Sequence, residues 1–360
     1  MKRIMALSLF LLVVSLACQT VQRVIAPATP TIEASPTPGL TPSATVSVTD
    51  APETATSPTV TRVAPTPITC ADDSCLDACL KRINQELSTQ PQGEIGGDYA
   101  GSDASFKLVN YKVDGDQILE PDILWVPSEY KTFQGDSASH ERVWNYFISL
   151  IPTEQRKWIT GYVVFTDGAS NTLAWVSQVD YNDNSRWALG VDILDSTDPI
   201  NLTETIVHEV AHLITLNSDQ IIQSDEFIYT PFQNTAVCKQ FTSTEGCSTP
   251  DSYINKFYQK FWYMIYEDWM EIVYNADAQN EEEFFTAVGE FYSKYHDHFA
   301  RPYAATNIKE DMAVSFEYFI LNSKPTGSGL SAQKMRFYYD FPELVALRQQ
   351  MIQSMCSYVQ

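Results

Sequence analysis

The residues His208-Glu209-Val210-Ala211-His212 constrain this chain more than any others. They sit inside an apolar-periodic stretch, Leu202 to Leu216, in which Ile206, Val207, Val210, Leu213 and Ile214 recur at helical spacing. A helix through this stretch brings residues four apart onto one face. Both imidazoles then reach one metal ion, with Glu209 beside them. Asn201 is the expected N-cap, and Glu204 three residues on completes a capping box. Two metal ligands and a general base on one helix form the working set of a zinc hydrolase. The whole chain holds five histidines, so a chance match to this pattern is rare.

A catalytic zinc ion takes three protein ligands and keeps a fourth position for water. The third donor is expected downstream, on another helix. The stretch Tyr303 to Phe316 offers Glu310 and Asp311 at the start of a helical pattern. Without a metal, the same two residues read as a solvated acidic pair favoured by the helix dipole.

Glu310, Ala313 and Phe316 resemble the second motif of the gluzincin metallopeptidases, and among them that of the anthrax lethal factor catalytic domain. That motif has a glutamate, two residues, an alanine, an acid, one residue and a phenylalanine, with a tyrosine upstream at about Tyr303. The resemblance covers roughly Asn201 to Leu347. It implies an α+β, zincin-like fold, with a mixed α/β N-terminal lobe containing a small sheet. A mostly helical C-terminal lobe would lie across a metal cleft. It also implies a zinc endopeptidase acting on peptide or protein. His208, His212 and Glu310 would bind Zn2+, Glu209 would serve as general base, and Tyr303 would donate to the oxyanion. The strand Trp187 to Ile193 is expected to line the cleft and pair with extended substrate.

One position departs from the motif. The acid expected four residues after the third ligand, which holds a zinc histidine in place, is Val314 here. Asp311 and Glu317 are the two candidates for that role. Two other functions fit the same residues: a zinc hydrolase acting on a non-peptide substrate, and a non-catalytic binding lipoprotein on a degenerate zincin fold. The intact Glu209 counts against the second, because a binder needs no base beside two metal ligands.

Three further patterns have simpler readings. His296-Asp297-His298 could bind metal, but helical neighbours two apart point away from each other. Histidines also suit the C-terminal end of the expected helix Glu281 to His298. Asp180-x-Asn182-x-Asn184 begins like a calcium loop, yet lacks the next glycine and has Val191 at the twelfth position. A hairpin turn is expected there. The aromatic run Phe257, Tyr258, Phe261, Trp262, Tyr263, Tyr266 and Trp269 reads as a helical core face rather than a carbohydrate platform.

The chain begins with Lys2, Arg3 and an apolar run from Ile4 to Ala17, the layout of a secretory signal. The run ends Val14-Ser15-Leu16-Ala17-Cys18, which resembles a bacterial lipobox with Ser15 where leucine is usual. Residues 1–17 are therefore expected to be a signal peptide and Cys18 a lipidated, membrane-anchoring residue at the cell surface. Ordinary cleavage after Ala17, with secretion, is the alternative. Residues 18–69 form a linker that from Ala26 is rich in Pro and Thr and nearly devoid of aromatics. Extended, the stretch from Ala26 to Thr69 reaches about 130 Å. Setting Cys18 aside leaves six of seven cysteines, an even number suited to export. Cys238 and Cys247 are expected to close a small loop. Cys70, Cys75, Cys79 and Cys356 are expected to tie the start of the domain to its last helix, in a pairing the sequence leaves open. The net charge of −22 argues against nucleic acid as a partner.

Residues 70–360 are expected to form the metallopeptidase-like domain. Helices are predicted over Asp72–Leu87, Ala138–Leu150, Leu202–Leu216, Tyr253–Tyr274, Glu281–His298 and Ile308–Leu321, with two more between Ser331 and Tyr358. Strands are predicted over Phe106–Val113, Gln117–Val126, Gly161–Thr166, Leu173–Tyr181 and Trp187–Ile193.

Overall fold

The computed structural model describes residues 68–89, 105–168, 172–223 and 238–358. The signal run, Cys18 and nearly all of the linker lie outside the described residues. Among the described residues, no helix is long and apolar enough to cross a membrane.

The fold is mixed α/β. Strands β1 (Phe106–Asp114), β2 (Gln117–Ile123), β3 (Ile159–Thr166), β4 (Ala174–Asp180) and β5 (Asp183–Asp192) form one sheet in the order β2-β1-β3-β5-β4. β3 and β5 run parallel, and the other neighbours are antiparallel. All five strands were expected from their β-branched and aromatic content. β3 alternates between two cores. Tyr162 and Val164 join the main core, where Tyr162 packs on Trp144 at 5.4 Å between ring centroids. Val163 and Phe165 join Trp175 and Ala188 in a smaller cluster. Gly190 sits opposite Trp175 in register, and a Cβ there would fall 2.1 Å from the indole. The glycine is what lets the ring lie across β5.

Helices α1 (Asp73–Thr89), α2 (Ser137–Leu150) and α3 (Pro199–Leu216) belong to the first part of the chain. Three short strands, β6 (Ile221–Ile222), β7 (Thr242–Ser243) and β8 (Gly246–Ser248), then pair in the order β6-β8-β7. The rest is helical, including α4 (Glu281–Lys294), α5 (Ile308–Leu321), α6 (Leu330–Phe337) and α7 (Pro342–Tyr358). α3 packs against both β4 and α5, so the sheet and the helical part meet on it.

The single helix expected over Tyr253–Tyr274 is broken. α-helical turns at Tyr253–Phe257 and Tyr266–Trp269 alternate with π-helical turns at Tyr258–Trp262 and Met270–Tyr274. Seven large aromatic side chains exceed what one 3.6-residue stripe can bury. The wider turns let Phe257, Tyr258, Phe261, Trp262 and Tyr266 all reach the core, while Tyr263 remains 60% exposed. The aromatic run is core, as its spacing indicated.

Cys238 pairs with Cys247 as expected. Of the other four cysteines, only Cys79 and Cys356 tie the domain start to the last helix, joining α1 to α7. Cys70 and Cys75 instead close a local turn, their Cα atoms 5.4 Å apart. The chain enters α1 through that turn, and the Cys70 carbonyl still meets α7, accepting from the Gln349 side-chain amide at 2.9 Å.

Candidate metal centre

Helix α3 starts earlier than its capping pattern suggested. Asp198, not Asn201, is the N-cap, and its carboxylate accepts from the Ile200 and Asn201 amides at 2.9 and 3.1 Å. Pro199 at the first helical position has no amide to satisfy and a φ already suited to a helix. Glu204 is thereby released from capping. Burial raises its carboxyl to about 6, and the nearby Glu317 charge adds to the effect. At the other end, the Asn217 side-chain amide donates to the Leu213 and Ile214 carbonyls. From Leu202 to Leu216 every residue is buried except Glu204 and His212, which are half-buried. An isolated helix this apolar is insoluble; its polar residues are retained because they face something other than core.

His208 and His212 lie one turn apart, with ring centroids 5.0 Å apart. Both Nε2 atoms point to one oxygen, Oε2 of Glu310, at 3.0 and 3.4 Å. Glu310 arrives from the first turn of α5. Asn307 caps that helix by accepting from the Lys309 and Glu310 amides. The β7–β8 hairpin braces the same turn, because Lys309 Nζ donates to Glu245 and Thr244 at 3.0 and 3.1 Å. Burial pushes the Glu310 carboxyl up. The His212 charge, hydrogen bonds from both imidazoles and the His208 charge outweigh it and hold the group well below its ordinary value. The carboxylate is therefore ionised, as a ligand must be.

The three donor atoms lie within 4.8 Å of one another. Two imidazole nitrogens and one carboxylate oxygen, converging from two helices and largely shielded from water, suit a divalent transition-metal ion. The sequence placed these residues 102 positions apart in one site, and the fold brings them together.

Of the two acids considered for the missing position, Glu317 is the one that faces His208. Glu317, two turns after Glu310 on α5, places Oε2 3.7 Å from His208 Nδ1, on the ring edge opposite Glu310. Arg301 holds that carboxylate in a fork, at 3.2 and 2.7 Å. Asp311 is turned away. Its Oδ2 accepts from Trp262 Nε1 at 2.7 Å and pairs with Lys334, a lysine only 1% exposed. Asp311 thus belongs to a buried ion pair that joins α5 to α6. Arg301 and the Lys334 pairing carried no motif that sequence reading could use.

Glu209 points at the sheet. Its Oε2 accepts from the Val176 amide at 2.8 Å. Val176 lies on β4, an edge strand whose one partner among the described residues is β5. The expectation that the Trp187–Ile193 strand pairs with substrate is corrected here. β5 is flanked by β3 and β4, so its backbone groups are taken on both sides. Among the described residues, the strand with no neighbour on its outer side is β4, whose Val176 amide reaches Glu209. Tyr303 stands in the turn Pro302–Ala305 before α5, buried, with its ring 6.0 Å from the His208 ring.

The rival patterns do not join the site. His296 bonds its neighbour Asp297 at the surface, and burial with the Lys334 charge lowers the His298 imidazole. Asp180 accepts from the Asn182 amide in the β4–β5 turn, and Asn184 is buried against the Ile221 carbonyl. No protein-family model matches this chain, and no curated protein or solved structure matches it significantly.

Proposed function

We propose that this protein is a zinc endopeptidase of gluzincin type, displayed outside the cytoplasm on a lipid attached to Cys18. In this reading the β-sheet part and the helical part are the two lobes of a zincin-like domain, with the cleft between β4 and α5. The observation that carries it is the convergence of His208, His212 and Glu310 on one point, with Glu209 buried beside them under an open strand edge.

His208 and His212 would hold zinc through Nε2, and Glu310 through a carboxylate oxygen. When bound, zinc supplies a Lewis acid that acidifies water and polarises a carbonyl. The residues of the chain do the rest. Glu209 takes a proton from the attacking water on a carboxylate oxygen and delivers it to the departing amine nitrogen. Its bond from Val176 fixes the carboxylate without neutralising it. The outer edge of β4 offers main-chain groups to an extended peptide, which aligns the scissile bond with Glu209. Tyr303 donates a hydrogen bond from its hydroxyl to the oxygen that gains charge. Glu317, clamped by Arg301, orients His208 through Nδ1.

The reading is tested on purified protein by metal analysis alongside hydrolysis of casein and mixed peptides. One zinc per chain and cleavage that disappears in His208→Ala and Glu310→Ala are expected. Stoichiometric zinc without peptide cleavage would leave a zinc hydrolase acting on another substrate. Absence of zinc would leave a binding protein.

A further inference from the structure

The small sheet β6-β8-β7 is tied to both helices that carry the metal-binding residues. β6 begins just after α3, and its Ile221 amide donates to the carbonyl of Asn217, the C-cap of that helix, at 3.0 Å. β8 pairs with β6 on one side and with β7 on the other. The turn between β7 and β8 carries Glu245 to the first turn of α5, where its Oε1 accepts from Lys309 Nζ at 3.0 Å. Lys309 is the neighbour of Glu310. A continuous path of strand pairing and one ion pair therefore runs from the helix of His208 and His212 to the helix of Glu310.

The contacts along this path are close. Gly246 has a φ of +139°, and a Cβ there would fall 2.4 Å from the Ile222 carbonyl oxygen, so glycine is what lets β8 approach β6. At its base the hairpin is docked through Phe241. The Phe241 amide donates to Asn255 at 3.1 Å, and its ring lies 5.1 Å from that of Tyr258. The Glu245 side chain is largely buried. Burial pushes its carboxyl up, but the Lys309 charge and hydrogen bond outweigh this and hold it below its ordinary value. The weak element is strand length. β7 has two residues and β8 three, too few to hold a hairpin on their own. The Cys238–Cys247 disulfide supplies the missing constraint, with Cys247 in β8 beside the turn and Cys238 ahead of β7.

We propose that Glu245 is a positioning residue for Glu310, acting through Lys309, and that the Cys238–Cys247 disulfide locks it in place. The metal centre then reaches full zinc affinity only once this disulfide has formed. The proposal rests on the zinc reading above. Disulfide formation joins the two Sγ atoms, and their two protons and two electrons reduce a partner disulfide to two thiols. Before that step the tip of the hairpin frays, and Asn307 is left to hold the first turn of α5. Apparent affinity falls in proportion to the fraction of chains that keep Glu310 in place.

The test uses the full chain with its disulfides formed and its metal removed. Hydrogen exchange read by mass spectrometry follows the backbone amides of residues 308–313, and chelator competition measures zinc affinity. Cys238→Ser combined with Cys247→Ser should speed that exchange and weaken zinc, by about tenfold each. Glu245→Ala, with the disulfide intact, should do the same. Joining all three changes should add less than about twofold, because they remove one strut; independent structural losses would multiply to about a hundredfold. Cys70→Ser with Cys75→Ser should leave both readouts parental. If the Cys238 and Cys247 variant does not fold, Lys309→Met breaks the same link from the helix side. Parental exchange and affinity in Glu245→Ala, multiplied losses in the combined variant, or equal losses in the Cys70 and Cys75 variant would overturn the proposal. A parent chain that takes up no zinc would defeat the zinc reading, and the exchange comparison, which needs no metal, would still decide the strut.

Discussion

Replacing Glu317 with glutamine asks whether α5 supplies both a metal ligand and the group that orients another. The glutamine keeps the shape of the side chain and removes its charge. Two unit charges 4 Å apart at an effective dielectric of 20 interact by about 4 kcal/mol. Three features reduce that figure here. The Oε2–Nδ1 distance is 3.7 Å, longer than a hydrogen bond. The imidazole N–H carries only part of a charge. Arg301 already offsets much of the carboxylate's charge. The expected loss is therefore about 1.4 kcal/mol, a tenfold drop in zinc affinity, at the low end of the range for such partners. Competition titration against a chromophoric zinc chelator measures it, with circular dichroism verifying the fold. Asp311→Asn is the counterpart. It leaves Lys334 buried without a counter-charge, so it should cost about 3–5 kcal/mol of folding stability. Zinc affinity of the folded fraction should stay parental. If Glu317→Gln binds zinc like the parent while Asp311→Asn does not, the assignment of the two acids is reversed.

Replacing Cys79 and Cys356 together by serine should cost about 3–5 kcal/mol in denaturant unfolding, because their bridge spans 277 positions; replacing Cys70 and Cys75 should cost clearly less. Stability should fall as pH rises from about 4 to about 8. The Asp192 carboxyl is raised in the folded chain, so its contribution is complete below the unfolded value and lost as pH passes through the folded one. A flat profile over that range would contradict it. Cys18→Ser should shift the protein out of the membrane fraction or leave it unprocessed; unchanged fractionation and processing would point to ordinary secretion.

What sequence revealed follows the range over which each signal acts. Helix α5 begins and ends where its pattern said, at Ile308 and Leu321. Glu310 was identifiable because its motif is local. The cap of α3 was missed although its signal, Asp198 before Pro199, stood three residues upstream of the chosen Asn201. A capping box that looked complete hid it. Choosing between Asp311 and Glu317 was beyond the sequence, since the choice depends on Lys334 and Trp262, far along the chain in each direction. The open edge of β4 is likewise a fact of strand order. β4 and β5 read equally well as strands, and only pairing with β3 decides which is interior. The buried group of Asp167, Asp192 and Asp195 was invisible for the same reason. They come from the ends of two parallel strands and the turn after one of them, and they share no motif. The π-helical turns reflect crowding among aromatics, which local propensity does not register.

In the proposed zinc-dependent hydrolysis, Glu209 moves the proton. Glu209→Gln tests it most directly, because glutamine can still accept the Val176 amide but cannot take up a proton from water. The purified variant should hold the same zinc and melt at the same temperature as the parent. Its peptide hydrolysis should fall by about a hundredfold or more. A Glu209→Gln protein that cleaves peptide at the parental rate, with equal zinc, would contradict the mechanism.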